Sequence, residues 1–345
     1  MSENKINKLS PYIGWMVFFG CMVAVFVVGI ITAQLLERKL EVGKMTMVLK
    51  PLDSMEPDNE KYKDNYPREY DSWKRTEESE GATKYGGPTQ FSHLEKDPNN
   101  IKLFAGYAFS VEYNDDRGHA HALEDVTKSL RHKRNHPNKD KGKDFPGTCW
   151  TCKSTDVPVL MKQMGLTNFY ASKFWDLEDK ITHSIGCADC HDGETMNLRI
   201  SRPALREAFA AQGKDIDKVS HQEMRTLVCA QCHVEYYFKG SKNYLTFPWK
   251  NGINIDEIEK YYEEENFTDW IHPVSKTRMV KMQHPDYEIF SAGIHAARGV
   301  ACADCHMPYI SEGGVKFSDH HVQSPLKNFD NSCAVCHRWS KEEAV

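Results

Sequence analysis

The chain has 345 residues, 40% of them apolar and 27% charged, with a formal net charge of −5. That mild acidity excludes a protein built around nucleic acid, whose footprint is a strong basic stripe. The length allows one large domain or two ordinary ones. The cysteines are the unusual feature: there are 11, and ten of them fall into five Cys-x-x-Cys pairs.

Taken in chain order, the first element is an uncharged, mostly apolar run of 22 residues from Tyr12 to Ala33. That is long enough to cross a bilayer as a helix. A cleavable signal has a shorter apolar core, so residues 1–36 are read as a signal anchor or transmembrane segment. A signal sequence cut near Thr32-Ala33-Gln34 is the alternative. Lys5 and Lys8 precede the run and Arg38 and Lys39 follow it, so the positive-inside rule gives no orientation. Cys21, the unpaired cysteine, reads as a small apolar residue within this segment. Residues 37–90 are polar, with 37–60 expected as a solvated stalk and Gly86-Gly87-Pro88 as a turn. Beyond them, Tyr170 to Thr182 and Ala204 to Gln212 contain no Gly or Pro and predict helices, with Pro203 suited to the first turn of the second. Alternating β pattern is scarce. The expected fold class is mainly α, one domain over residues 61–345.

Four of the cysteine pairs are complete Cys-x-x-Cys-His motifs: Cys187, Cys190 and His191; Cys229, Cys232 and His233; Cys302, Cys305 and His306; Cys333, Cys336 and His337. This is the attachment signature of c-type haem. Two sulfurs on one side of a helical turn reach the two vinyl groups of a porphyrin, and the next residue coordinates iron. Zinc sites use the same spacing but need four ligands per metal, in paired clusters. The uneven spacing of the motifs excludes a solenoid. Haems would then form much of the core, and their attachment puts the globular part on the exported side of a membrane. The fifth pair, Cys149-Trp-Thr-Cys152-Lys153, replaces the histidine with lysine. A neutral, buried amine can bind iron. A haem held by Lys153 with its other face open is a candidate catalytic centre, whereas a degenerate, disulfide-bonded pair is the bland alternative.

One Cys-x-x-Cys-Lys followed by four Cys-x-x-Cys-His resembles the ammonia-forming cytochrome c nitrite reductase family. The likeness runs from Tyr70-Asp-Ser-Trp73 to the C-terminus, and Cys-Trp-Thr-Cys-Lys-Ser is similar to the family's active-site motif. The resemblance implies a pentahaem enzyme that reduces nitrite to ammonium at the Lys153-ligated haem, fed by four bis-histidine haems. It implies Arg131, Tyr236 and His284 as catalytic residues beside Lys153. It implies calcium held by Glu235, the Tyr236 carbonyl, the Lys281 carbonyl and Gln283, an oxygen set of the kind calcium prefers. Distal iron ligands follow in the same way: His119 for the third haem, His295 for the fifth, and His320, with His321 a residue away, for the second. His93, His132, His136, His183, His221 and His272 are expected to be exposed or capping, and Arg117 to make a propionate or surface ion pair.

The family resemblance further implies a membrane quinol-oxidising multihaem cytochrome as electron donor, a location on the periplasmic side of the cytoplasmic membrane, and a homodimer in full-length members. The chain stops eight residues after His337, where family members continue with a helical dimerisation part. Its absence is expected to make the dimer doubtful and to leave the haem at His306 without a distal histidine, unless His321 or water serves. A fragment, a shortened variant and a misassigned histidine all remain open. The alternatives to nitrite reduction are a multihaem electron-transfer protein, or a reductase of another small species such as hydroxylamine or sulfite. An all-bis-histidine conduit sits poorly with Lys153.

Overall fold

The computed structural model describes residues 11–44, 49–79, 81–115, 117–139, 142–338 and 340–344. The chain divides into two compact units, Met1–Lys50 and Pro51–Val345.

The described part of the first unit is dominated by one helix, Pro11–Lys44. Its stretch Tyr12–Glu37 has a mean hydropathy of 2.6 over its most apolar window and none of that window is buried. At about 1.5 Å per residue it exceeds the roughly 30 Å of hydrocarbon in a bilayer.

The second unit is mainly helical, built from short helices and 3₁₀ turns around one aromatic-rich core. Sheet is confined to three two-stranded antiparallel ribbons: Tyr237–Lys239 with Tyr244–Thr246, Trp270–Ile271 with Arg278–Met279, and Tyr309–Glu312 with Val315–Ser318. The core centres on the first attachment motif. Trp150, 1% exposed, stacks on Phe174 at 4.0 Å and donates its indole N–H to the Phe174 carbonyl at 2.9 Å. Truncating such a tryptophan to alanine costs about 3–5 kcal/mol.

Local sequence explains the elements that carry the motifs. Pro203 opens the helix Pro203–Ala211 at a position whose N–H has no helical partner. The helix His221–Ala230 begins with a reciprocal cap, in which Ser220 Oγ accepts from the Glu223 N–H and the Glu223 carboxylate accepts from the Ser220 N–H. Its last turn delivers Cys229. The expected helix from Tyr170 to Thr182 is broken. Leu166–Ala171 is α-helical, Ser172 and Lys173 are extended, and Phe174–Lys180 is a 3₁₀ helix. The break allows Ser172 O to accept from Gly147 N at 2.6 Å and Phe174 N to donate to Phe145 O at 2.9 Å, which ties this strip to the first motif. Tertiary bonding there overrides helix propensity.

Residues 51–60, read from sequence as part of the stalk, lie in the second unit. Ser54 donates to the Asp192 carboxylate, and Asn59 accepts from Cys187 N at 2.9 Å.

Candidate active site

The five cysteine pairs carry no disulfide. They are packed against one another. The Cys152 and Cys232 thiols are within hydrogen-bonding reach, as are those of Cys229 and Cys302. Cys190 neighbours Cys232, and Cys305 neighbours Cys333. The third motif thus meets the first, second and fourth, and the fourth lies near the fifth.

Histidine pairs remote in sequence face each other beside these motifs. Ring centres are 6.2 Å apart for His191 and His320, 6.4 Å for His119 and His233, and 6.1 Å for His295 and His337. Two metal–imidazole bonds of about 2 Å, plus about 1 Å from each nitrogen to its ring centre, put trans rings about 6 Å apart. The donor set and its spacing therefore fit an iron between each pair. The Nδ1 atoms are occupied elsewhere: His191 on Met196 O at 2.8 Å, His320 on Ser318 O at 2.8 Å, His306 on Gln323 O at 3.0 Å and His233 on the Asp286 carboxylate at 3.1 Å. Such second bonds fix a ligand ring and leave Nε2 for the metal. His321 points elsewhere, with Nε2 at 3.9 Å from Glu78 and Nδ1 accepting from Gln323 at 3.1 Å. Among the described residues no ring contact pairs His306 with a second histidine.

The first motif lies on a 3₁₀ turn, Gly147–Trp150. Tyr236 neighbours Cys149, Cys152 and Arg131, and burial pushes its phenol well above the ordinary range. The His284 ring is 5.4 Å from Tyr236 and 6.1 Å from His233. Arg131 reaches this region from a fixed base. Its Nε donates to Ser129 Oγ at 3.1 Å, Glu112 lies 4.0 Å away, and its guanidinium covers the Phe109 ring at 4.6 Å. Lys281 shares that ring at 4.5 Å, and its amine donates to the carbonyls of Met282 and Gln283. Burial brings Lys281 down to about 8, against the opposing pull of Glu235. The chain thus gathers a guanidinium and an imidazole around the Tyr236 phenol, beside Cys149 and Cys152.

Beside this lies a buried oxygen cluster. Glu235, 1% exposed, accepts from Tyr262 Oη at 2.6 Å and from the Gln283 N–H. Gln283 Nε2 donates to the Lys281 carbonyl at 3.1 Å and to Tyr107 Oη at 3.3 Å, while Tyr107 donates to Asp269 at 3.4 Å. Burial raises Glu235 to about 7, and it raises Asp269 as well. Buried carboxylates short of positive charge suit a hard cation. No group of three or more His, Cys, Asp or Glu side chains in metal-holding geometry occurs among the described residues, so carbonyl and amide oxygens would complete such a shell.

The residues assigned bland roles divide. Arg117 pairs with Glu124 at 2.9 Å and with Asp125. His183 bonds Asp156 at 2.9 Å and His272 bonds Lys102 O at 2.9 Å. His136 caps the chain locally, its Nδ1 accepting from Asn138 N at 2.9 Å. The expectation for His132 is corrected, since it is wholly enclosed by the rings of Phe145, Phe174 and Trp175. Sequence reading also missed the Arg202–Asp189 pair and Tyr262. The repeated Cys-Ala-Asp-Cys was the available signal for Asp189 and Asp304, because each aspartate meets an arginine from elsewhere, Arg202 and Arg225 respectively.

Comparison with known proteins agrees with this arrangement. The family described as Cytochrome c552 matches residues 58–344. A cytochrome c-552 of Bacteroides fragilis is 53% identical over 337 residues, covering 97% of this chain and 68% of that protein. One from Porphyromonas gingivalis is 51% identical over 343 residues, covering 99% and 68%. Among solved structures, the cytochrome c nitrite reductase of Desulfovibrio desulfuricans superposes with a TM-score of 0.79 at 36% identity, over 86% of this chain and 67% of that one. Its catalytic subunit has two calcium sites. By sequence over most of its length, and by a mainly helical multihaem fold shared with that enzyme, the chain belongs to the cytochrome c552 family.

Proposed function

We propose that this chain reduces nitrite to ammonium at a haem attached through Cys149 and Cys152 and ligated by Lys153. The observation that carries the reading is the company kept by that motif: Tyr236 neighbours both cysteines and Arg131, and its ring is 5.4 Å from His284. When bound, the haem supplies electrons and an open coordination position for the nitrogen of nitrite. Arg131 supplies fixed positive charge for the nitrite oxygens, held in place by Ser129 and Phe109. His284 donates protons as the oxygens leave as water, and Tyr236 orders the same pocket. Preorganised donors aimed at developing negative charge are commonly the largest catalytic contribution. Lys281, buried 4.5 Å from the ring that Arg131 covers, adds to the field that draws an anion in.

The remaining motifs hold four electron-carrying haems, three of them bis-histidine, for which the facing pairs His191–His320, His119–His233 and His295–His337 are the support. His306 is the proximal ligand of the fourth. Calcium takes Glu235, the carbonyls of Tyr236 and Lys281, and Gln283. Electrons come from a membrane quinol-oxidising multihaem cytochrome, and the helix Pro11–Lys44 anchors the chain on the periplasmic side. The deciding experiment is ammonium formed per nitrite consumed, with reduced viologen as donor. One ammonium per nitrite is expected; consumption of nitrite without ammonium would sink the assignment.

A further inference from the structure

Arg202 is 1% exposed and lies outside every cysteine motif. Its guanidinium is nonetheless bonded to two of them. Nη1 donates to the Asp189 carboxylate, inside the second motif. Nε donates to the Thr151 carbonyl at 3.0 Å and Nη2 to the Ser154 carbonyl at 2.7 Å. Those carbonyls bracket Cys152 and Lys153. The third motif joins in through Gln231, 2% exposed, whose Oε1 accepts from Ser201 N at 2.6 Å and Arg202 N at 2.9 Å. Gln231 Nε2 donates to the Asp189 carbonyl at 3.1 Å.

A buried ion pair of this kind is weak evidence for stability, because desolvation offsets the attraction. Its geometry is more informative. The planar fork of arginine spans two carbonyls and a carboxylate at once, which lysine cannot do. In a motif whose fifth residue must aim a flexible amine, fixing the backbone on both sides of that residue fixes where the side chain starts.

We propose that Arg202 is the positioning residue for Lys153: anchored by Asp189, it clamps the Thr151–Ser154 turn and so aims the lysine amine at the iron. The inference rests on the reading that Lys153 is the iron ligand. It adds that the second motif sets the geometry of the first through protein bonds, independently of any electron passed between their haems.

The test uses the exported, haem-loaded full chain. Arg202→Lys keeps the buried charge beside Asp189 but loses the two-carbonyl clamp, and Arg202→Gln/Asp189→Asn removes both charges together. Magnetic circular dichroism and paramagnetic resonance report lysine ligation at the first haem separately from the low-spin bis-histidine signals. In Arg202→Lys the lysine-ligated signature is expected to shift or vanish with the bis-histidine signals intact. Turnover should fall roughly 10- to 100-fold, with KM for nitrite little changed, as misplacement near 1 Å does elsewhere. The double variant should show the same signature. A first haem unchanged in spectrum and turnover in either haem-loaded variant would overturn the proposal. So would loss of all haem from both variants, which marks a purely structural pair. An untouched parent protein lacking amine ligation would instead remove the lysine reading itself.

Discussion

Tyr262 donates its hydroxyl to Glu235 at 2.6 Å inside the core, fixing the one acidic side chain of the candidate calcium shell. A bond of this sort, one step out from a metal, commonly supports 10- to 100-fold in affinity. Tyr262→Phe should therefore weaken calcium binding about 10-fold or more, measured by chelator titration of the haem-loaded protein. Unchanged affinity would place calcium elsewhere.

Arg131→Ala and His284→Ala should each lower nitrite turnover by about 10²–10³-fold, the loss seen when one fixed donor to developing charge is removed. The low-spin haem spectrum should stay intact, because neither residue contacts a bis-histidine iron in the proposed scheme. Steady-state kinetics beside visible spectra separate the effects. Wild-type turnover in both would mean that the catalytic residues have been misassigned.

His320 faces His191, whereas its neighbour His321 faces Glu78. His320→Ala should convert the haem at Cys187 and Cys190 from low to high spin, and His321→Ala should leave it low spin. Resonance Raman spin markers distinguish the two. The reverse result would move the distal ligand by one position.

His132 gives a pH dependence whose sign follows from its surroundings. Enclosure by three aromatic rings lowers its pKa to about 4; Arg131 adds to the fall and the Val126 backbone opposes it weakly. Neither ring nitrogen makes a well-shaped hydrogen bond. The unfolded chain takes up this proton below about pH 6.5, while the folded chain resists it until about pH 4. The stability that neutral His132 supports is thus complete above about pH 6.5 and is lost as pH falls toward 4, a loss of about 2 kcal/mol by pH 5. His132→Phe keeps the packing and removes the titration. Its melting temperature should gain on the parent between pH 7.5 and 5 by calorimetry. A pH-independent difference would show that His132 is not held neutral.

Haem loading tests the first motif directly. The denatured full chain should carry five haems by intact mass, with all ten motif cysteines as thioethers. Four haems, with Cys149 and Cys152 free or joined in a disulfide, would leave Lys153 without an iron to bind.

Much of this was legible in the sequence because haem attachment is local. Two cysteines and a ligand within five residues announce themselves at any fold. The helix Pro203–Ala211 was equally readable, since proline and uninterrupted helix formers act locally. Candidate distal partners such as His320 are set by tertiary contact, and only resemblance to a family pointed to them. The break at Ser172 and Lys173 was invisible, because the bonds to Gly147 and Phe145 that stabilise it come from another strip of chain. Arg202 was invisible for the same reason. Nothing local separates a buried arginine at the start of a helix from a solvated one, and its partners Thr151 and Asp189 lie in two other motifs.

The segment from Asp53 to Tyr62 has a practical consequence for anyone shortening this chain. A Cβ on Gly186 would meet the Asn59 amide oxygen at 2.0 Å, and one on Gly193 would meet the Asp53 carbonyl at 2.1 Å. The two glycines flank the second motif, one just before Cys187 and one just after His191, and the segment lies against both. Trimming the chain to residue 61 would therefore strip a fitted cover from Cys187 and expose the Asp192 carboxylate that Ser54 now meets. A version freed of its apolar helix should begin at Pro51. Side chains added at 186 or 193 should then be tolerated only by variants in which this segment has already come away.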